Sequence, residues 1–201
     1  SLISLALKLD EVCASNKHIL MNDYTYLQHA QPTTLSHYLN TFIEPIKRDL
    51  KRLSQTYDLL DTSPGGSGSV NGTSLPISKN RIAKLLCFKN VTNHARDALW
   101  QFDIPLQVIS CVLIVLTNIS RLCAELIIWN SKEFNFIKIP DKFCRSSIIM
   151  PQKKNPYALA YIRGFINSIS GSFSEYLNMG KEVTGFPDSR IFIYSDLLNN
   201  F

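Results

Sequence analysis

Two adjacent cations, Lys153 and Lys154, stand between a pair of hydroxyls, Ser146 and Ser147, and a helical pattern that begins after Asn155-Pro156. Asparagine is a favourable N-cap, and proline fits the first helical turn, where its missing N–H costs nothing. A helix start offers free N–H groups and the positive end of a dipole. Two lysines beside it describe a site for a carboxylate or a phosphate. An ordinary capped loop with solvated lysines has the same composition, so the spacing leaves both readings open. A second polar cluster, Tyr24-Thr25-Tyr26-Leu27-Gln28-His29-Ala30-Gln31-Pro32, reads as a turn ahead of a helix, with His29 at the surface.

Long helices must position these segments. Leu159, Ile162, Ile166, Ile169, Phe173 and Tyr176 recur at steps of three and four, which predicts a helix over 157–178 with one buried stripe. Leu39, Ile43, Ile46, Leu50, Leu53, Tyr57 and Leu60 predict a helix over 34–61, capped by Thr33 or Thr34. Its heptad-like spacing suits a bundle, and Pro45 predicts a kink. Residues 95–130 form another long helical pattern containing Pro105, with an all-apolar centre from Cys111 to Leu116. A membrane span needs about 20 apolar residues. Gln107, Ser110, Thr117, Asn118, Ser120 and Arg121 interrupt the run, so a central core helix is expected and no membrane. Shorter helices are expected over 2–15 and up to about Phe88. No alternating pattern is long enough to indicate a strand, so the class is all-α. The stretch Ser63-Pro64-Gly65-Gly66-Ser67-Gly68-Ser69 reads as a flexible loop. It lacks the Gly-Lys-Ser/Thr ending of a phosphate loop, which excludes nucleotide binding there.

The 201 residues, 45% hydrophobic and 18% charged, suit one globular domain over 1–201. The formal charge of +5 is mild, and the one short basic face, Lys47-Arg48 with Lys51-Arg52, reads as a solvated helix face, so no nucleic-acid partner is expected. Five cysteines without a C-x-x-C pair suit reduced thiols in the cytoplasm. No residue cluster calls for a metal or a cofactor.

Ser147 through Pro156, with Met150-Pro151-Gln152-Lys153-Lys154-Asn155-Pro156 intact, resembles the signature loop of the fumarase/aspartase superfamily. The Gln-Lys-Lys form is most similar to argininosuccinate lyase. Ser146 replaces that family's glycine and Ile148 its second serine. Tyr24 through Pro32 likewise resembles the family motif Tyr-Thr-His-Leu-Gln-x-Ala-Gln-Pro, with Tyr26 in place of the histidine. The likeness runs in order over roughly 5–180. It implies a long-helix bundle, the central domain of a homotetramer with three chains at each active site. It also implies that the N-terminal domain and most of the C-terminal domain lie outside this chain. Near the end, Gly185-Phe186-Pro187-Asp188-Ser189-Arg190 stands where the family has a substrate-binding segment.

The resemblance further implies a non-hydrolytic β-elimination that splits argininosuccinate into arginine and fumarate. Carbanion formation next to a carboxylate gives a doubly charged aci-carboxylate, which needs fixed cations and donors. By family position Lys153, Asn155, Thr25 and Gln28 hold the dicarboxylate substrate. Ser147 is the base, workable only if a lysine and the helix dipole stabilise its alkoxide. Tyr26 takes the place of the general acid. The changed histidine leaves two other expectations standing: a degenerate, non-catalytic helical oligomer, or a lyase for another fumaryl-type substrate.

Overall fold

The computed structural model describes residues 1–181, and the segment Gly185–Arg190 lies outside them. The chain is mostly helical, with six α-helices and three two-stranded β pairs among the described residues. It divides into two compact units, Ser1–Arg52 with Leu113–Ser168, and Leu53–Val112 with the chain from Ile169 on.

In the first unit, α1 (Leu2–Ser15) is followed by an antiparallel hairpin, β1 (Leu20–Thr25) and β2 (Gln28–Thr34). The hairpin runs into α2 (Leu35–Leu60), whose first turn is capped as expected: Thr34 Oγ1 accepts from the His37 N–H at 3.2 Å. The core here joins Cys13, Leu39, Ile43 and Trp129, with Leu9, Val12, Tyr38 and Leu126 packed against them. Beyond it the buried Asp49 accepts from Arg52 at 2.6 Å and from the Asn118 amide at 2.8 Å. A carboxylate taken out of water requires such partners, and this one ties α2 to the helix that carries Asn118.

In the second unit, β3 (Thr62–Ser63) pairs in parallel with β4 (Asn90–Val91), flanking α3 (Lys79–Leu85). The glycine-rich stretch is packed here and is no free linker. Ser63 and Ser67 are buried, and Gly66 and Gly68 adopt positive φ. A Cβ on Gly68 would sit 2.6 Å from the Gly72 carbonyl oxygen, so only glycine fits that approach.

The helix expected over 95–130 is two helices, α4 (Ala95–Trp100) and α5 (Asp103–Trp129). Pro105 falls in the first turn of α5, where its missing N–H interrupts nothing. Pro45, in contrast, sits inside α2, and the helix runs on through it from Leu35 to Leu60. The last helix, α6, spans Tyr157–Met179. Its expected stripe is only partly covered: Ile169 and Tyr176 are buried, whereas Leu159, Ile166 and Phe173 are half-buried and Ile162 is exposed. Tyr157, Tyr161 and Phe165 are exposed as well. The apolar residues of this helix exceed one face, and no element among the described residues covers the remainder. α5 is similar, since only 17% of its most apolar stretch is buried.

Candidate functional site

The loop before α6 is built by strand pairing. β5 (Arg145–Ser146) runs antiparallel to β6 (Lys154–Asn155), with Arg145 opposite Asn155 and Ser146 opposite Lys154. The ladder continues one step, because the Ser147 N–H donates to the Lys153 carbonyl at 3.2 Å. The Lys153 N–H donates in turn to the Met150 carbonyl at 2.9 Å, closing the loop. Asn155 is therefore not the N-cap of α6. Its backbone is engaged with Arg145, and the Pro156 carbonyl accepts the first helical bond, from the Ala160 N–H at 3.2 Å.

Alternation along this short ladder sorts the side chains. Residues two apart share a face, and residues directly opposite share a face. Ser147, Lys153 and Asn155 thus project to one side of the ladder together with Arg145, which lies over the Tyr157 ring at 5.5 Å, and Ser146 and Lys154 project to the other. Lys154 Nζ meets Asp141 Oδ2 at 2.5 Å, which holds the Asp141 carboxyl below its ordinary range. Lys153 has no ion-pair partner among the described residues, and the side chains of Ser147 and Asn155 make no hydrogen bond there. A hydroxyl, a cation and a carboxamide are left available beside the uncommitted N–H groups of a 23-residue helix. Such a group binds an anion and stabilises charge that develops on it. At the loop tip Ile148 and Ile149 are almost fully exposed.

The segment Tyr24–Pro32 is a hairpin rather than a simple polar turn. Thr25 pairs with Gln28, and Tyr26 and Leu27 make a two-residue turn with φ of 54° and 58°. Both values lie in the left-handed region that such turns require and that glycine or asparagine normally supplies. The strain is about 1–2 kcal/mol per residue. Tyr26 is 99% exposed. The strands are anchored by aromatic contact: Tyr24 packs against His29 across the hairpin at 5.2 Å and against Phe134 at 5.1 Å between ring centroids. His29 is thus a surface residue, as expected, with a packing role. A register shift between Asn22 and Tyr24 places Ala30 and Gln31 in a bulge beside Pro32, which explains why no clean alternation shows in this stretch.

Two residues next to the hairpin carry no sequence signal. Tyr38 on α2 donates its hydroxyl to Glu125 on α5 at 2.9 Å. Burial, together with the bonded carboxylate, pushes the Tyr38 phenol far above its ordinary value, so it stays a fixed donor. This pair and the turn residues Tyr26 and Leu27 line a small cavity of about 210 Å³. Their wide separation in sequence hides the pairing until the helices pack.

The structure brings Ser147, Lys153 and Asn155 together in one loop, and Thr25, Tyr26 and Gln28 in one hairpin tip. Among the described residues no hydrogen bond, ion pair or ring contact joins the tip to the loop.

A protein-family model described as lyase matches residues 1–171. The argininosuccinate lyase of Thermoanaerobacter sp. (strain X514) is 39% identical over 180 residues, which cover 90% of this chain and 41% of that enzyme. The chain therefore spans about two fifths of the length of the curated relatives it matches. Among solved structures, EDDS lyase in complex with formate superposes with a TM-score of 0.87 at 26% identity, covering 90% of this chain and 37% of that one. A variant of EDDS lyase with bound fumarate gives 0.85 at 27% identity, over 88% and 36% of the two chains. The class II fumarase of Schistosoma mansoni shares the fold, with a TM-score of 0.78 at 17% identity, over 99% of this chain and 47% of that one.

Proposed function

This chain belongs to the lyase family, and from that premise we propose that the protein carrying it is a C–N lyase that cleaves argininosuccinate to arginine and fumarate without hydrolysis. The observation that carries the proposal is the loop ladder, which gathers Ser147, Lys153 and Asn155 on one face at the start of α6. Ser147 Oγ, as alkoxide, takes the proton from the carbon beside the substrate carboxylate. The Lys153 ammonium, the Asn155 amide and the N–H groups of α6 stabilise the aci-carboxylate that results. The electron pair then forms the carbon–carbon double bond of fumarate as the C–N bond breaks. Tyr26 protonates the departing nitrogen, a role that suits a phenol better than proton acceptance. Thr25 and Gln28 hydrogen-bond the dicarboxylate. The strained and fully exposed turn supports this role, because backbone strain concentrates where a side chain must be presented.

Tip and loop are separate within one chain, so the complete site is assembled from several copies in a homotetramer. The uncovered apolar faces of α5 and α6 supply the surface for that contact. The protein works in the cytoplasm. A second reading, a lyase for a different fumaryl-type substrate, draws support from the likeness to EDDS lyase and from Tyr26 in the place of a histidine.

Fumarate release, followed by ultraviolet absorbance in the full-length protein, tests the proposal. Turnover of argininosuccinate that disappears in Ser147→Ala is the expected result. Fumarate release from another substrate only selects the second reading. Equal activity of wild type, Ser147→Ala and Tyr26→His leaves no catalytic role for these positions and favours a non-catalytic scaffold. Sedimentation of a folded monomer at micromolar concentration would remove the shared site.

A further inference from the structure

Adjacent lysines on a short strand create a problem of register. The ladder has a side-chain period of two, so a slip of one residue turns every side chain to the opposite face. After such a slip Lys154 would stand where Lys153 stands, and Ser147 would lose its two companions. The sequence Lys153-Lys154 is nearly symmetric under this exchange, and the ladder is only a few residues long. Within the loop Pro156 opposes this slip from one end, because it would take the place of Asn155 opposite Arg145 without an N–H to donate, and the other end depends on side-chain contacts.

We propose that Asp141 and Lys154 are positioning residues that select the register of this loop, a role that rests on the reading of Lys153 as the substrate-binding cation. Asp141 lies in a 3-10 turn, Asp141–Phe143, just before β5, on the face of the ladder opposite Ser147. Its carboxylate captures Lys154 at 2.5 Å and so directs Lys153 to the other face. The pair is exposed, and an exposed ion pair contributes little to global stability. Choosing between two nearly equivalent registers requires only a small difference. Cys144 Sγ and the Ile139 carbonyl, 3.8 Å apart, tie the same turn back to the preceding chain, which gives Asp141 a fixed base.

Register selection and simple electrostatics predict effects of opposite sign at Asp141. If Asp141 acted only as a nearby negative charge, Asp141→Asn would tighten the binding of a dianion. If it selects the register, Asp141→Asn weakens fumarate binding by a few-fold, about two to five. The experiment measures fumarate affinity and amide hydrogen exchange over 145–155 in the full-length protein. Asp141→Asn and Lys154→Met are each expected to weaken fumarate binding and to speed exchange of the Ser147 N–H. The exchanged pair Asp141→Lys with Lys154→Asp is expected to restore both. Unchanged exchange in the two single variants, or tighter fumarate binding in Asp141→Asn, overturns the proposal. So does a charge-exchanged variant that restores exchange but not affinity, since Lys154 would then itself hold the anion. A protein whose fumarate affinity is insensitive to Lys153→Met contradicts the functional reading instead, and exchange at Ser147 still decides the role of Asp141.

Discussion

The hairpin tip and the loop before α6 solve one task, the presentation of polar side chains, by opposite means. The tip holds Tyr26 and Leu27 in a conformation their side chains disfavour, and compensates through aromatic packing of Tyr24 on Phe134 and His29. The loop is held by backbone pairing and one ion pair on its reverse face, with ordinary strand geometry. The tip is therefore strained, and the role proposed for it rests on one exposed aromatic. The loop is set by register, and the role proposed for it rests on three groups that share one face. Substitutions should divide accordingly. In the loop they should separate chemistry from binding, whereas in the tip they should trade stability against activity.

The largest effect is expected at Ser147. If Ser147 is the proton acceptor, as proposed, its replacement by alanine removes only that group, so turnover should fall by about 10²–10⁴ while fumarate still binds. Steady-state kinetics beside equilibrium titration checks both halves. Next comes Lys153→Met, which removes a charge used in ground and transition states alike. A charge-assisted hydrogen bond contributes about 1.5–3 kcal/mol, so fumarate affinity should drop by roughly 10- to 100-fold. Loss at Lys154→Met should be much smaller, and equal losses would erase the distinction between the two faces.

The tip is tested by Tyr26→His. If Tyr26 is the adapted general acid, the change lowers activity and moves the alkaline limb of the pH profile downward, because an imidazolium yields its proton at lower pH than a phenol. A rise in activity would show that tyrosine has merely lost the acid. Leu27→Gly should relieve the left-handed strain and stabilise the protein by about 1 kcal/mol, read by chemical denaturation. No gain there would mean that the tip is not paying for its shape.

The smallest effect concerns acid. Lys154 lowers the Asp141 pKa from its ordinary 3.8, by hydrogen bond and then by charge, with Lys138 adding to it. The carboxylate therefore favours the paired loop at pH values above 3.8, and that contribution is lost as pH falls through the lowered folded value. Exchange of the Ser147 N–H, corrected for intrinsic rates, should accelerate in that window in the wild type and not in Asp141→Asn.

Most of the helices, and the places of the two polar segments, could be read from local pattern. Periodicity of Leu39, Ile43 and Ile46, the Thr34 cap and the apolar steps through Tyr176 are relations between near neighbours, and near neighbours decide helical structure. The loop motif could be picked out too, because Ser147, Lys153 and Asn155 lie within ten residues. Tertiary structure decided the rest. The hairpin around Tyr26 was hidden because a bulge and Pro32 break the alternation, and because tyrosine and leucine occupy turn positions that ordinarily announce themselves with glycine. Pro105 looked like an interruption until the break at Gln101–Phe102 made it the start of a helix. Which lysine shares a face with Ser147 was undecidable from Lys153-Lys154 alone. The answer depends on Asp141, on strand alternation, and on a register that exists only once β5 and β6 have paired.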